Sequence, residues 1–233
     1  MCSAEALDWD AGAVPRSRRF DDPYYAGPAG RAETAHVFLA GNGLPGGWAG
    51  MGTEDVFHVA ELGFGTGLSF LVMLEAWARA GAEGRLVFSS VEGFPMAPAD
   101  RARALAPWPD LAALGAPFLG ALPAAPGWHE IRRGAVTLRL GIGEASAMVA
   151  GVAPADAWYL DGFSPVKNPA MWTPGLMAAV AARTRPGGTF ATYTAAGHVR
   201  RALAAAGFAV ERVPGFGAKR HMTRGRLDGV AGP

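Results

Sequence analysis

The stretch Val59-Ala-Glu-Leu-Gly-Phe-Gly-Thr-Gly-Leu68 joins an apolar run to a helical one through three glycines, with a carboxylate just ahead of them. Val56, Phe57, Val59 and Leu62 read as a buried strand, while Leu68, Phe70, Leu71, Leu74 and Trp77 recur at helical spacing, so the glycines occupy a β-to-α turn. A corner that tight needs positive φ or close backbone approach, which Gly63, Gly65 and Gly67 permit. The chain is thereby directed toward an α/β fold. The pattern is G-x-G-x-G, whereas the dinucleotide fingerprint is G-x-G-x-x-G with a pyrophosphate at the helix N-terminus. No phosphate seat is demanded here.

Glu61, two residues before Gly63, is placed to accept a hydrogen bond from an amino group. S-adenosyl-L-methionine carries a cationic amino-acid tail where a dinucleotide carries phosphates, so the carboxylate favours the sulfonium cofactor. Three further acids follow strands in the same way. Leu86 to Val91 delivers Glu92, at about the spacing of a ribose-binding acid. A hairpin-like pair, Trp128 to Arg133 and Val136 to Leu140, precedes Glu144, which is expected to face the adenine amino group. Ala157 to Leu160 is a short apolar strand ending in Asp161. Ligands of open α/β sheets bind outside the carboxyl ends of the strands, and the shared position of these acids carries the inference.

Helical periodicity is expected over residues 67 to 80, 98 to 106, 144 to 150, 174 to 184 and 196 to 206. Strands are expected at Thr189 to Thr194 and Phe208 to Val213, with Lys219 to Arg224 returning as a final antiparallel strand. Such alternation implies a mostly parallel sheet with helices on both faces. Residues 1–55 lack regular periodicity and read as a lead-in that packs on the core, with Phe20-Asp-Asp-Pro-Tyr-Tyr25, Tyr24 in particular, covering the cofactor. Residues 56–226 are the catalytic domain and 227–233 a tail, while the proline-rich span Ala106 to Gly127 reads as an irregular surface excursion with room for one short helix. A chain of 233 residues, 50% hydrophobic, suits one large domain.

A single cysteine, Cys2, excludes an internal disulfide and suits a reducing compartment. Glu5, Asp8 and Asp10 interrupt any signal-peptide core, and Pro117, Pro123 and Pro126 break the longest uncharged span, so a cytoplasmic protein outside the membrane is expected. The five histidines, His36, His58, His129, His198 and His221, lack metal-ligand spacing, and no G-x-S-x-G elbow occurs. Net charge is only +1, yet residues 1–161 hold 11 Lys/Arg against 18 Asp/Glu while residues 162–233 hold 10 against 2. That asymmetry points to a basic C-terminal face, with Arg200, Arg201, Lys219, Arg220, Arg224 and Arg226, able to meet phosphates.

Glu61 to Leu68, Trp158-Tyr-Leu-Asp-Gly-Phe-Ser-Pro-Val-Lys-Asn-Pro-Ala-Met-Trp172 and Gly215-Phe-Gly-Ala-Lys-Arg220 resemble motifs of the tRNA 5-aminomethyluridine methyltransferase family, the MnmC methyltransferase domain or stand-alone MnmD. Phe20 to Tyr25 and Ala32-Glu-Thr34 extend the resemblance over roughly residues 20–225. The family resemblance implies a Rossmann-like class I methyltransferase fold with a seven-stranded sheet. It also implies methyl transfer from S-adenosyl-L-methionine to the exocyclic amine of a wobble 5-aminomethyl(-2-thio)uridine in tRNA. The chain departs from the pattern in Glu144, where the family has aspartate, and in His221, where glutamate is common. No oxidase domain of the kind some members carry is expected within these residues, so a separate flavin-dependent oxidase would supply the amine.

For such chemistry the attacking amine must be neutral and aligned, and positioning supplies most of the catalysis. Asp161, or the backbone carbonyls of Gly162 and Phe163, would accept hydrogen bonds from the amine, and Asp161 or a water would take the released proton. The Phe163 ring would stack on the base. Pro165 and Pro169 would stiffen the loop, Lys167 and Asn168 would meet phosphate or base edges, and Trp172 would anchor the loop. Three other readings stay open: a small-molecule N-methyltransferase, an NAD-dependent oxidoreductase and a non-catalytic RNA-binding module.

Overall fold

The computed structural model describes residues 5–10 and 14–228. The reading of Cys2 and most of the expected tail lie outside the described residues. The chain opens with a small antiparallel sheet of β1 (Leu7–Trp9), β2 (Pro15–Ser17) and β3 (Asp22–Pro23). Helix α1 (Gly30–Thr34) follows and continues through tighter and wider turns to Asn42. The main domain then alternates β4 (Val56–Leu62), α2 (Leu68–Arg79), β5 (Arg85–Glu92), α3 (Pro98–Leu105), α4 (Pro109–Leu119), β6 (Gly127–Arg133), β7 (Val136–Ile142) and α5 (Ala145–Met148). It ends with β8 (Ala155–Leu160), α6 (Pro174–Ala182), β9 (Thr184–Thr192), α7 (Gly197–Ala205), β10 (Phe208–Pro214) and β11 (His221–Leu227).

Among the described residues, eight strands form one sheet in the order β10-β11-β9-β8-β4-β5-β7-β6. The five central strands are parallel, and β6, β10 and β11 run antiparallel to their neighbours. This is the α/β fold expected, with eight strands rather than seven: the β6–β7 hairpin adds an edge strand beyond β7. Starting from β4 the chain builds outward to β5 and β7, then returns to lay β8 and β9 on the other side. The order reverses at β4, and a crevice at such a point is where an open α/β sheet takes its ligand.

Parallel strands covered on both faces must be apolar at every position, and alternate residues feed two separate cores. Val59, Phe88, Ala157 and Tyr159 face the core built with α2 and α4; Ala60, Val91, Trp158 and Leu160 face the one built with α6 and α7. Trp158, Tyr159, Phe70 and Phe88 are fully buried, each side chain of this kind contributing about 1.5–3 kcal/mol on burial. Tyr25, Val37, Phe38 and Trp48 of the lead-in join the first core, so this segment is part of the domain's packing.

The one helix that residues 106–127 have room for is longer than expected, the 11-residue α4. Pro109 starts it at a position whose N–H has no helical partner, and Gly115 lets its backbone settle on Leu71, whose Cδ2 lies 2.0 Å from where a Cβ would stand. The lead-in carries a helical run from Gly30 to Asn42 that closes over the strand ends.

Candidate active site

The C-terminal ends of β4, β5, β7, β8 and β9 open on one cleft of about 1050 Å³, at the upper end of small-molecule sites. The backbone ladder continues past the strands: Gly63 N–H donates to Val91 O at 2.9 Å, Gly143 N–H to Glu92 O at 3.0 Å and Asp161 N–H to Leu62 O at 3.1 Å. These bonds align the residues after each strand along one rim. Gly63 adopts φ +93°, and a Cβ there would stand 1.9 Å from the Asp161 carbonyl oxygen. Glycine is therefore what lets the two strand ends meet.

Glu92 is oriented by two backbone donors, Gly65 N–H at 2.8 Å and Phe94 N–H at 2.7 Å. Burial pushes its carboxyl above the usual range, and these bonds oppose the shift. Each oxygen keeps a second lone pair, as a grip on two ribose hydroxyls requires. Glu144 stands just ahead of α5 without a side-chain capping bond, is exposed, and accepts from Ser146 Oγ at 2.6 Å. Glu61 is 0% exposed; its Oε2 accepts from Ser90 Oγ at 2.6 Å while Oε1 has no partner. Burial pushes Glu61 well above the ordinary carboxylate range, with Asp161 and Glu92 adding repulsion. An orphaned buried oxygen beside the glycine turn fits a site that awaits a cationic group.

Asp161 lies partly exposed on the cleft wall, where burial pushes its carboxyl up to about 7. The Lys219 ammonium pulls this value down, Glu33 pushes it up, and Ser69 steadies the charged form by hydrogen bonding. The adjoining loop is fixed at four points. Tyr193 Oη donates to Gly162 O at 2.7 Å, Trp172 Nε1 to Phe163 O at 2.8 Å, Ser164 N–H to Asp22 Oδ2 at 2.8 Å, and Lys167 Nζ to Asp21 O. Phe163 is held between lead-in rings, 4.9 Å from Phe20 and 5.0 Å edge-on to Tyr24. Tyr24 in turn lies against Gly65, 3.0 Å from where a Cβ would be.

Of the residues singled out from the sequence, Tyr24, Gly63, Gly65, Glu92, Glu144, Asp161, Phe163, Asn168 and Lys219 line this one cleft. Glu61 and Gly67 lie behind its wall, and Gly67 starts α2 with φ +84°. Lys167 sits outside, paired with Asp22 at 3.3 Å, and Arg220 is exposed next to Lys219. Trp172 is buried as the loop anchor it was expected to be. Sequence reasoning gave Glu33 no role beyond its place in Ala32-Glu-Thr34, and missed Ser69 and Tyr193 in the lining. Tyr193 follows β9 directly and was accessible to the strand-end rule; Glu33 arrives on α1, with no local sign that this helix turns to the cleft. Among the described residues no group of three or more His, Cys, Asp or Glu is arranged to hold a metal, and no helix is long and apolar enough to cross a membrane.

A family model described as S-adenosyl-L-methionine-dependent methyltransferase matches residues 114–228. The tRNA 5-methylaminomethyl-2-thiouridine biosynthesis bifunctional protein MnmC of Pseudomonas paraeruginosa is 46% identical over 228 residues, 96% of this chain and 35% of its own length. The protein of the same name from Chromobacterium violaceum is 46% identical over 224 residues, 94% of this chain and 34% of its own. The chain thus spans about a third of the length of these curated relatives. Among solved structures, the crystal structure of MNMC2 from Aquifex aeolicus superposes with a TM-score of 0.78 at 23% identity, covering 99% of this chain and 73% of that one, a likeness of fold.

Proposed function

We propose that this chain is one of the S-adenosyl-L-methionine-dependent methyltransferases that form one part of MnmC proteins, and that it methylates the exocyclic amine of 5-aminomethyl(-2-thio)uridine at the wobble position of tRNA. The product is 5-methylaminomethyl(-2-thio)uridine. The observation that carries the reading is Asp161: a partly desolvated carboxyl beside Phe163, on the same rim as Glu92 and Glu144. When bound, S-adenosyl-L-methionine supplies an electrophilic methyl group on a sulfonium. The oriented Glu92 and the close-packed glycines fit that group, with Glu92 toward its ribose, Glu144 toward its adenine and the orphaned oxygen of Glu61 behind the wall of the glycine turn that would take its amino end.

The chain's own part is to present a neutral, aligned amine. The Gly162 and Phe163 carbonyls each accept one bond, from Tyr193 and Trp172, which leaves the Asp161 carboxylate, with two oxygens on the cleft wall, as the acceptor of greatest capacity for the amine N–H groups. Near neutral pH its carboxylate is poised to take the proton that the nitrogen releases once it has been methylated. Phe163, edge-packed by Tyr24 and tilted on Phe20, offers a ring on which a splayed-out uracil stacks. Asn168 from the wall, with Lys167 and Arg220 from the rim, would meet the nucleotide and its phosphates. A flavin-dependent oxidase would supply the aminomethyl group.

The test incubates the chain with S-adenosyl-L-methionine and tRNA bearing 5-aminomethyluridine, followed by nucleoside mass analysis. A gain of one methylene on that nucleoside supports the reading. Methylation of free amines with none on tRNA would replace it by a small-molecule N-methyltransferase.

A further inference from the structure

Among the described residues, two large apolar side chains stand exposed, Leu114 at 38% and Val166 at 88%. A scattered surface valine ordinarily needs no explanation. Val166 differs in where it stands and in how firmly it is held. The residues two places before and after it, Ser164 and Asn168, both line the cleft, so Val166 forms the lip between them. The N–H groups of Lys167 and Asn168 each donate to Ser164 O at 2.8 Å, which puts Val166 at the tip of a tight turn. The base of the turn is fixed by buried Pro165, by Ser164 N–H on Asp22 Oδ2 at 2.8 Å and by Lys167 Nζ, 3.3 Å from Asp22 Oδ1. A β-branched side chain is itself stiff at χ1. The protein thus presents a short apolar peg to solvent, on a loop pinned against folding it away.

We propose that Val166 is a wedge that fills the place left in the RNA strand by the target uridine and covers the base next to it, so that it selects a nucleotide within RNA. The proposal rests on the reading of the substrate as a uridine of tRNA. Asp161 and Phe163 lie on the cleft wall, and the Phe163 ring is packed between Phe20 and Tyr24. A uracil that brings its amine to Asp161 and lays its face on Phe163 has left its neighbours in the strand. Unstacking is costly, and nucleic-acid-binding proteins offset it with an apolar side chain set against the vacated face. Val166 follows Phe163 by three residues on the same pinned loop, so the base inside the cleft and its neighbour outside meet one structure. In the free protein the valine methyl groups face water; in the complex a base face covers them. One valine matches part of a single base and is far short of the area that a protein partner needs.

The test gives the full chain and S-adenosyl-L-methionine an anticodon stem–loop RNA with 5-aminomethyluridine at the wobble position, and compares it with the same RNA made abasic at the bases beside the target. Val166→Ser lowers kcat/KM on the intact loop about tenfold, and less on the abasic loop, where no stack is broken and no neighbour is covered. Val166→Leu, which keeps an apolar tip, keeps the wild-type ratio between the two RNAs. In a separate titration without cofactor, 2-aminopurine is placed at each neighbour in turn. Its fluorescence rises at one of them when the wild type binds, and rises less with Val166→Ser. Thermal melts of the variants coincide with that of the wild type, because the side chain lies outside the core. An unchanged ratio or an unchanged rise in a folded Val166→Ser variant overturns the wedge and leaves the proposed reaction standing. No rise at either neighbour with the wild type overturns it as well. A rise that depends on Val166, with no methyl transfer to the RNA by the wild type, sinks the amine reaction and keeps the wedge.

Discussion

Asp161 and Gly63 show at the scale of single residues how the site is constructed. Burial disfavours the charge of Asp161 and pushes its carboxyl up from the ordinary 3.8 to about 7. Below about pH 4 the carboxyl is protonated in both folded and unfolded chains; between about 4 and 7 only the unfolded chain ionises, so stability falls as pH rises through that window. Asp161→Asn should therefore raise the melting temperature of the cofactor-free protein at pH 8, by about 1–3 kcal/mol in stability, with a smaller gain at pH 5. In the same variant kcat for methyl transfer should drop about 100-fold or more. A variant with no gain in stability at pH 8 would show that the carboxylate carries no desolvation cost. Gly63 and Gly67 share positive φ, but only Gly63 has backbone 1.9 Å from its missing Cβ. Gly63→Ala should cost more than about 3 kcal/mol in urea denaturation and displace Asp161, whereas Gly67→Ala costs about 1–2 kcal/mol of backbone strain. Equal losses would contradict the close approach as the reason for glycine. Both positions were visible in the sequence, since a strand-to-helix corner with three glycines leaves few alternatives, and so were the acids that follow the other strands.

At the scale of elements, what was legible depended on how each segment is stabilised. β4, β5, β8 and α2 are buried by their own periodic apolar residues, so their pattern announces them. Helix α4 is different: its prolines and glycines read as breakers, yet Pro109 initiates it and Gly115 makes its contact with Leu71. The lead-in is harder still, because β1 to β3 are two or three residues long and are held by contacts to residues far along the chain. Asp22 is the clearest instance, its two oxygens receiving Ser164 N–H at 2.8 Å and Lys167 at 3.3 Å across the mouth of the cleft. No spacing rule links residues that far apart. Asp22→Ala should release the loop: amide exchange at Ser164 should speed up, and kcat/KM should fall about tenfold as Phe163 loses its fixed orientation. Unchanged exchange at Ser164 would mean that Tyr193 and Trp172 alone hold the loop.

At the scale of the whole molecule the charge asymmetry seen in the sequence is partly absorbed by folding. Lys167 pairs with Asp21 and Asp22, Arg185 with Asp156 and Lys219 with Glu33, each a C-terminal cation answered by an acid from the N-terminal part. These pairs explain how segments of opposite net charge form one domain, and they reduce the number of cations available to a polyanion. Arg212 on β10 and Arg220 in the connection to β11 remain exposed, and neither has an ion-pair partner among the described residues. If tRNA is the substrate, these two arginines should carry part of its phosphate recognition, and each phosphate neutralised adds about 0.7–0.9 to the slope of affinity against salt. The logarithm of kcat/KM for tRNA should accordingly fall linearly with the logarithm of salt concentration. The double substitution Arg212→Gln and Arg220→Gln should flatten that slope by between one and two contacts, while the affinity for S-adenosyl-L-methionine, measured by calorimetry, stays constant. A wild-type rate indifferent to salt would leave the basic face without a polyanionic partner and would favour a small amine as the acceptor, because the cleft would then be doing its chemistry without any contribution from the surface around it.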